Sequence, residues 1–142
     1  MTPTALTDEQ ILSTLVQVAA ENPEKVYQAP ESMLDRYNSC FYVHEAEDGT
    51  QEPGCIVGQV LHRLGVPLVA LKEAETLGAS SAVQLTTQGV SRDVALFLRF
   101  VQRKQDRGST WSEAVAEGLE DFNEGFETEA KLTLPALVEA AT

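Results

Sequence analysis

Between Ser91 and Phe126 apolar residues recur at the three- and four-residue intervals of a helix, and the run is broken once, at Gly108. Val94, Phe97, Leu98 and Val101 share one face of a first segment, about Ser91 to Arg107. Trp111, Val115, Leu119, Phe122 and Phe126 share one face of a second. Gly108 tolerates the left-handed conformation that ends a helix, and Thr110 with Glu113 three residues on is a capping box that starts one. Two amphipathic helices joined by so short a turn have to fold back on each other as an antiparallel pair. The body of the chain is therefore expected to be helical.

The same grammar recurs upstream. Thr7 with Gln10 forms a capping box, Ile11, Leu15, Val18 and Ala19 make one face, and Asn22-Pro23 ends that helix. Cys55 to Leu64 predicts a second helix, with Val57, Val60, Leu61 and Leu64 as its stripe and Gly65 as its stop. Pro67 opens a third at its first helical position, and Leu68, Leu71, Ala74 and Leu77 carry it inward. Cys40 to His44 is aromatic and β-branched and reads as a short strand. Asp48-Gly49 is the turn of a hairpin that leads into Gly54-Cys55. Residues 24–38 are ambiguous, with Tyr27, Met33, Leu34 and Tyr37 fitting one short helix after Pro30. Residues 78–87 read as a connector with one short apolar stretch. Beyond Phe126 the pattern weakens, and Leu134, Leu137 and Val138 fit either a short docking helix or a frayed tail.

The expected fold class is mainly α: a single compact helical domain, residues 1–142, of about five helices with one short β-hairpin. Residues 1–6 and 127–142 are expected to be frayed or loosely docked. No internal repeat or interdomain linker interrupts the chain. The 43% hydrophobic content is enough for one core without a metal or disulfide. Two cysteines do not make a disulfide framework. Met1 to Leu6 lacks the basic and apolar regions of a signal peptide, and no apolar run approaches the ~20 residues that span a bilayer. The expectation is a cytoplasmic protein with reduced thiols and no membrane contact.

Two stretches carry a resemblance. Pro53-Gly54-Cys55-Ile56-Val57-Gly58 through Leu61-His62-Arg63-Leu64-Gly65-Val66 is one. Gln105-Asp106-Arg107-Gly108-Ser109-Thr110-Trp111-Ser112-Glu113-Ala114 is the other. Together they resemble small proteins of unknown function from actinobacteria and their phages. The resemblance implies a source class and a possible accessory role, and it brings no activity, site or cofactor with it.

Several residue sets bear on chemistry. On the second helix Cys55, Gln59 and His62 share a sector opposite the apolar stripe, with the thiol at the N-terminus, where the helix dipole lowers a thiol pKa. A cysteine-dependent site assisted by His44 or His62 is thus one alternative. Against it, Cys55 and His62 lie roughly 10 Å apart along the helix axis, too far for a direct nucleophile–base hydrogen bond. Packing is the simpler use of such a cysteine. Cys40, His44, Cys55 and His62 also offer four ligand types for zinc. Their spacing argues otherwise, since Cys40 and His44 on a flat strand stand ~13 Å apart. No cofactor is expected, and the common nucleotide-binding and hydrolase signatures are absent.

Charge is segregated. Acids outnumber bases 22 to 10, for a formal net charge of −12. Arg92, Arg99 and Arg103 make a basic stripe, while Glu113, Glu117, Glu120, Asp121 and Glu124 recur along the next helix with no base between Trp111 and Ala130. Salt bridges between the two are the parsimonious use of the arginines. Nucleic acid is a poor partner for so acidic a chain. The reading that follows is a non-enzymatic binding or regulatory protein whose partner is another protein, with a homo-oligomer as an open possibility.

Overall fold

The computed structural model describes residues 2–30, 41–125 and 132–134 of the chain. In order these form β1 (Thr4–Ala5), α1 (Asp8–Glu21), β2 (Val43–Glu45), β3 (Gln51–Pro53), α2 (Ile56–Arg63), α3 (Leu68–Glu73), α4 (Ala79–Thr86), β4 (Thr87–Gln88), α5 (Arg92–Asp106) and α6 (Trp111–Gly125). The architecture is mainly α, as expected, with six helices among the described residues where about five were anticipated.

The punctuation explains where the helices start and stop. The Thr7 hydroxyl accepts the Gln10 N–H at 3.1 Å, and the Gln10 side chain accepts the Thr7 N–H at 2.9 Å. Thr110 and Glu113 repeat the arrangement at α6, at 3.1 and 3.2 Å. Gly65 and Gly108 both have positive φ, 104° and 98°. Each follows a helix in a Schellman pattern: Gly65 and Val66 donate back to His62 and Leu61, and Gly108 and Ser109 to Gln105 and Lys104. Pro67 precedes α3 as its N-cap, one position earlier than expected.

α5 and α6 form the antiparallel hairpin that their spacing predicts. Phe97 meets Phe122 edge-on at 6.1 Å, and Lys104, further along α5, reaches back to Asp121 near the middle of α6. The helices touch at Gly118, where a Cβ would lie 3.0 Å from the Val101 nitrogen. α2 sits against α1, α3 and α5, and its Ile56, Val57, Val60 and Leu61 are fully buried. Burial of that kind contributes on the order of 1.5–3 kcal/mol per aliphatic side chain relative to exposure. The β2–β3 hairpin covers the start of α2. It turns at Gly49, and Gly58 lets the Tyr42 carbonyl lie directly on the helix, since a Cβ there would overlap that oxygen.

Three expectations are corrected. Residues 78–87 are not a connector but α4 followed by β4. Ala79, Ala82, Val83 and Thr86 are buried at helical spacing, so the face is real but made of small residues, and its apolar signal is weak. The strand expected from Cys40 begins at Val43, because Phe41 and Tyr42 are buried as anchors before the ladder starts. The second helix begins at Ile56, with Cys55 as its N-cap. Cys40, Met33, Leu34, Tyr37, Phe126, Leu137 and Val138 lie outside the described residues.

A second, parallel pair of strands was not anticipated. Thr4 pairs with Thr87 and Ala5 with Gln88, and Leu6, buried, donates to the Gln88 carbonyl at 2.9 Å. The Asp8 carboxylate accepts the Ser91 N–H at 2.6 Å. Residues 4–8 are thus fastened to the segment that joins α4 to α5. At the other end Asn123 grips Leu132 through two hydrogen bonds of 3.0 and 3.1 Å.

Candidate functional site

The charged faces of the α5–α6 hairpin are the first site to build. The buried sides of the two helices face each other and the core, so their charged residues are left at the seam or outward, while Gln102 and Gln105 of α5 are buried. Arg92, Arg99 and Arg103 are all exposed on α5. The expected pairing of these arginines with the acids of α6 is not found: none of the three forms an ion pair among the described residues. The half-buried Lys104 takes that role instead, reaching Asp121 at 2.9 Å and Glu117 at 3.8 Å. The Asp121 hydrogen bond is the main cause of its raised pKa. The adjacent arginine does not compete, because Arg103 is exposed while Lys104 is partly buried against the acids of α6.

On α6 the acidic residues divide into two groups. Glu117 and Asp121 are partly buried and share the single charge of Lys104. Glu113, Glu120 and Glu124 are exposed. Glu113 also belongs to the capping box, where the Thr110 hydroxyl and N–H hold its carboxyl below the usual carboxylate range. The outcome is one guanidinium-bearing face and one carboxylate-bearing face on adjacent helices, with a single lysine bridging between them.

The second candidate site is the Cys/His set. Cys55 is fully buried in the core cluster, which corrects the expectation that it shares an outward sector with His62. Its N–H donates to the Phe41 carbonyl at 2.9 Å, so the hairpin clamps the N-cap down. Gln59 is half-buried and donates to the Pro53 carbonyl at 2.9 Å, tying α2 to the end of β3. His62 is exposed, and its Nδ1 lies 3.3 Å from the Val66 carbonyl across the Schellman turn. The described hydrogen bond of each imidazole goes to a group other than the thiol.

His44 packs its ring against Gly54 and hydrogen-bonds Tyr27. The Phe41 N–H donates to the Tyr27 hydroxyl oxygen at 2.9 Å, and His44 Nε2 lies 2.8 Å from the same oxygen. The His44 ring is half-buried in this contact. Burial pushes its pKa below 6.5, opposed by Glu52 across the hairpin and reinforced by Lys25. Among the described residues no group of three or more His, Cys, Asp or Glu side chains converges to hold a metal ion. Cys55 is buried and His44 partly buried, and the described partner of the His44 ring is the Tyr27 hydroxyl.

Trp111, read as a core anchor, is buried, and Lys25 lies 4.6 Å over its ring. Its indole N–H finds no acceptor among the described residues. Tyr27 and Lys25, which contact His44 and Trp111, come from the stretch whose pattern is ambiguous, and spacing carries no signal for either contact. The chain matches no protein family, no curated protein and no solved structure.

Proposed function

We propose that this chain is a non-enzymatic protein-binding or regulatory accessory protein of the cytoplasm that engages another protein through the charged faces of α5 and α6. One observation carries the reading. In a chain with 22 acids and 10 bases, three exposed arginines on one helix have no internal counter-ion among the described residues. Nearby carboxylates are available, and Lys104 uses two of them. Arginine suits such a face because its planar fork recognises carboxylates in a bidentate way. Oppositely charged faces side by side steer encounter and reject mismatched partners. A nucleic acid would meet three guanidinium groups and the field of the whole acidic chain, which disfavours it. The resemblance to actinobacterial and phage proteins fits an accessory role of this kind.

The test is capture from an actinobacterial extract by the immobilised wild-type chain and by two triple variants. One carries Arg92→Glu, Arg99→Glu and Arg103→Glu, and the other Glu113→Lys, Glu120→Lys and Glu124→Lys. A protein retained by the wild type and reduced about tenfold or more by one reversal supports the reading, a change of ~1.4 kcal/mol in affinity. An identical captured set for all three chains rejects it.

A further inference from the structure

The other side of the molecule has the opposite character. Residues 1–7, 64–71 and 76–91 contain no Asp, Glu, Lys or Arg, although 23% of the chain is charged. The fold brings these three stretches together. Thr2, Pro3 and Thr4, then Pro67 and Ala70 at α3, then Leu85 and Thr86 on α4 line a groove of about 220 Å³, and Glu73 is the one charged side chain among its lining residues. Val69 and Leu85, on the same two helices, are 56% and 55% exposed, two of the three large apolar side chains most open to solvent.

A backbone edge adjoins this face. Among the described residues β1 has one strand neighbour, β4. In a parallel ladder alternate residues turn their backbone polar groups to the same neighbour. Leu6 donates to Gln88, so the exposed Ala5 turns its N–H and C=O the other way. Such an edge invites a further strand, and Pro3 limits any added ladder to this short stretch.

We propose that this uncharged face is a self-association surface, on which a second copy of the chain docks by two-fold symmetry with Leu85 and Val69 of each copy covering the groove of the other. Charge selects this occupant. Two bodies of net charge −12 repel wherever carboxylates face each other, and this face, with Glu73 as the one carboxylate lining its groove, is where a second copy can approach while meeting few of them. A basic partner gains nothing here and is drawn to the carboxylates of α6. An isologous contact presents the same patch twice, so a neutral face is automatically complementary to itself. Depletion of charge around exposed aliphatic residues is also the composition of an interface core.

The experiment is sedimentation velocity on the full chain from about 1 to 200 μM, a range that brackets micromolar association. The wild type is expected to sediment as a dimer at the upper end. Its apparent dissociation constant should fall several-fold between about 0.05 and 0.5 M salt as the background repulsion is screened. Leu85→Glu and, separately, Val69→Glu should each be monomeric throughout with an unchanged circular dichroism spectrum. Both side chains are mainly in solvent, so at least one variant retains the fold. Val26→Glu, at an apolar position 51% exposed beside the start of α6, should remain dimeric. A wild type that stays monomeric at every concentration overturns the proposal. So does a dimer that survives both the Leu85 and Val69 changes, or one that salt dissolves. These results are independent of the capture experiment, which changes residues on α5 and α6 only.

Discussion

The side-chain carbonyl of Gln105, on α5, accepts the N–H of Ile56, the first residue of α2, at 2.9 Å inside the core. The first N–H groups of any helix lack an internal partner, and Cys55 provides no side-chain cap for this one. A glutamine from another helix, 49 positions away in sequence, closes the gap. Gln105→Leu should therefore destabilise the protein by about 1–3 kcal/mol, the cost of leaving a buried donor unsatisfied. Urea unfolding followed by circular dichroism measures it. A change within a few tenths of a kcal/mol of zero would mean that water replaces the glutamine.

Gly58→Ala sets two effects against each other. In the interior of a helix alanine is favoured over glycine by about 1 kcal/mol. Here the new methyl would overlap the Tyr42 carbonyl oxygen, a backbone atom pinned by the Gly54 N–H at 2.8 Å and unable to swing aside. Overpacking of this kind costs about 1–3 kcal/mol, so the net effect is expected to be a loss. A raised unfolding midpoint would show that the hairpin can lift from α2.

The hydrogen bond between Tyr27 and His44 predicts a pH dependence. Burial depresses the folded-state pKa of His44, so below pH 6.5 the unfolded chain binds a proton that the folded chain resists. The contribution of neutral His44 is complete above that pH and is lost as the pH falls through the lowered folded value. Glu52 and Lys25, the charges that act on the ring, pull in opposite directions. His44→Gln should flatten the fall in stability between about pH 6.5 and 5, where histidine titrates and most carboxylates do not. Thermal midpoints across that range decide it, and an unchanged slope would assign the effect to other groups.

Cys55 should resist alkylation in the native state. The side chain is fully buried beneath the β2–β3 hairpin, so iodoacetamide is expected to modify its peptide only at the rate at which the protein unfolds. Peptide mass spectrometry across a urea series follows this site specifically. Rapid labelling in native buffer would reopen the thiol as a reactive group.

What was legible in the sequence divides by the range of the interaction. Thr7 with Gln10, Thr110 with Glu113, Gly65 and Gly108 are local devices. Each acts within a few residues, and all of them stand where the pattern put them. The α5–α6 pairing was legible for the same reason, a short turn between two strong stripes. α4 was missed because its buried face is Ala79, Ala82, Val83 and Thr86, and two alanines and a threonine give little contrast with a loop. The site was harder to read than the fold. The sector shared by Cys55 and His62 was sound as helical geometry, but where that sector points is decided by Phe41, which bonds the Cys55 N–H from the far end of a hairpin. The arginines were placed correctly on one face. That Lys104, and none of these arginines, pairs with the acids of α6 among the described residues is something no spacing rule contains.

The parallel pairing of Thr4 with Thr87 carries a consequence for how the chain is made. The two strands lie 83 positions apart in sequence, so β1 waits for β4 to be made. Closing a loop that long is slow beside forming a local turn. This clasp is therefore among the slower contacts to close, together with the Val26–Thr110 bridge and the packing of α1 on α6, and a nascent chain halted before residue 87 lacks all three.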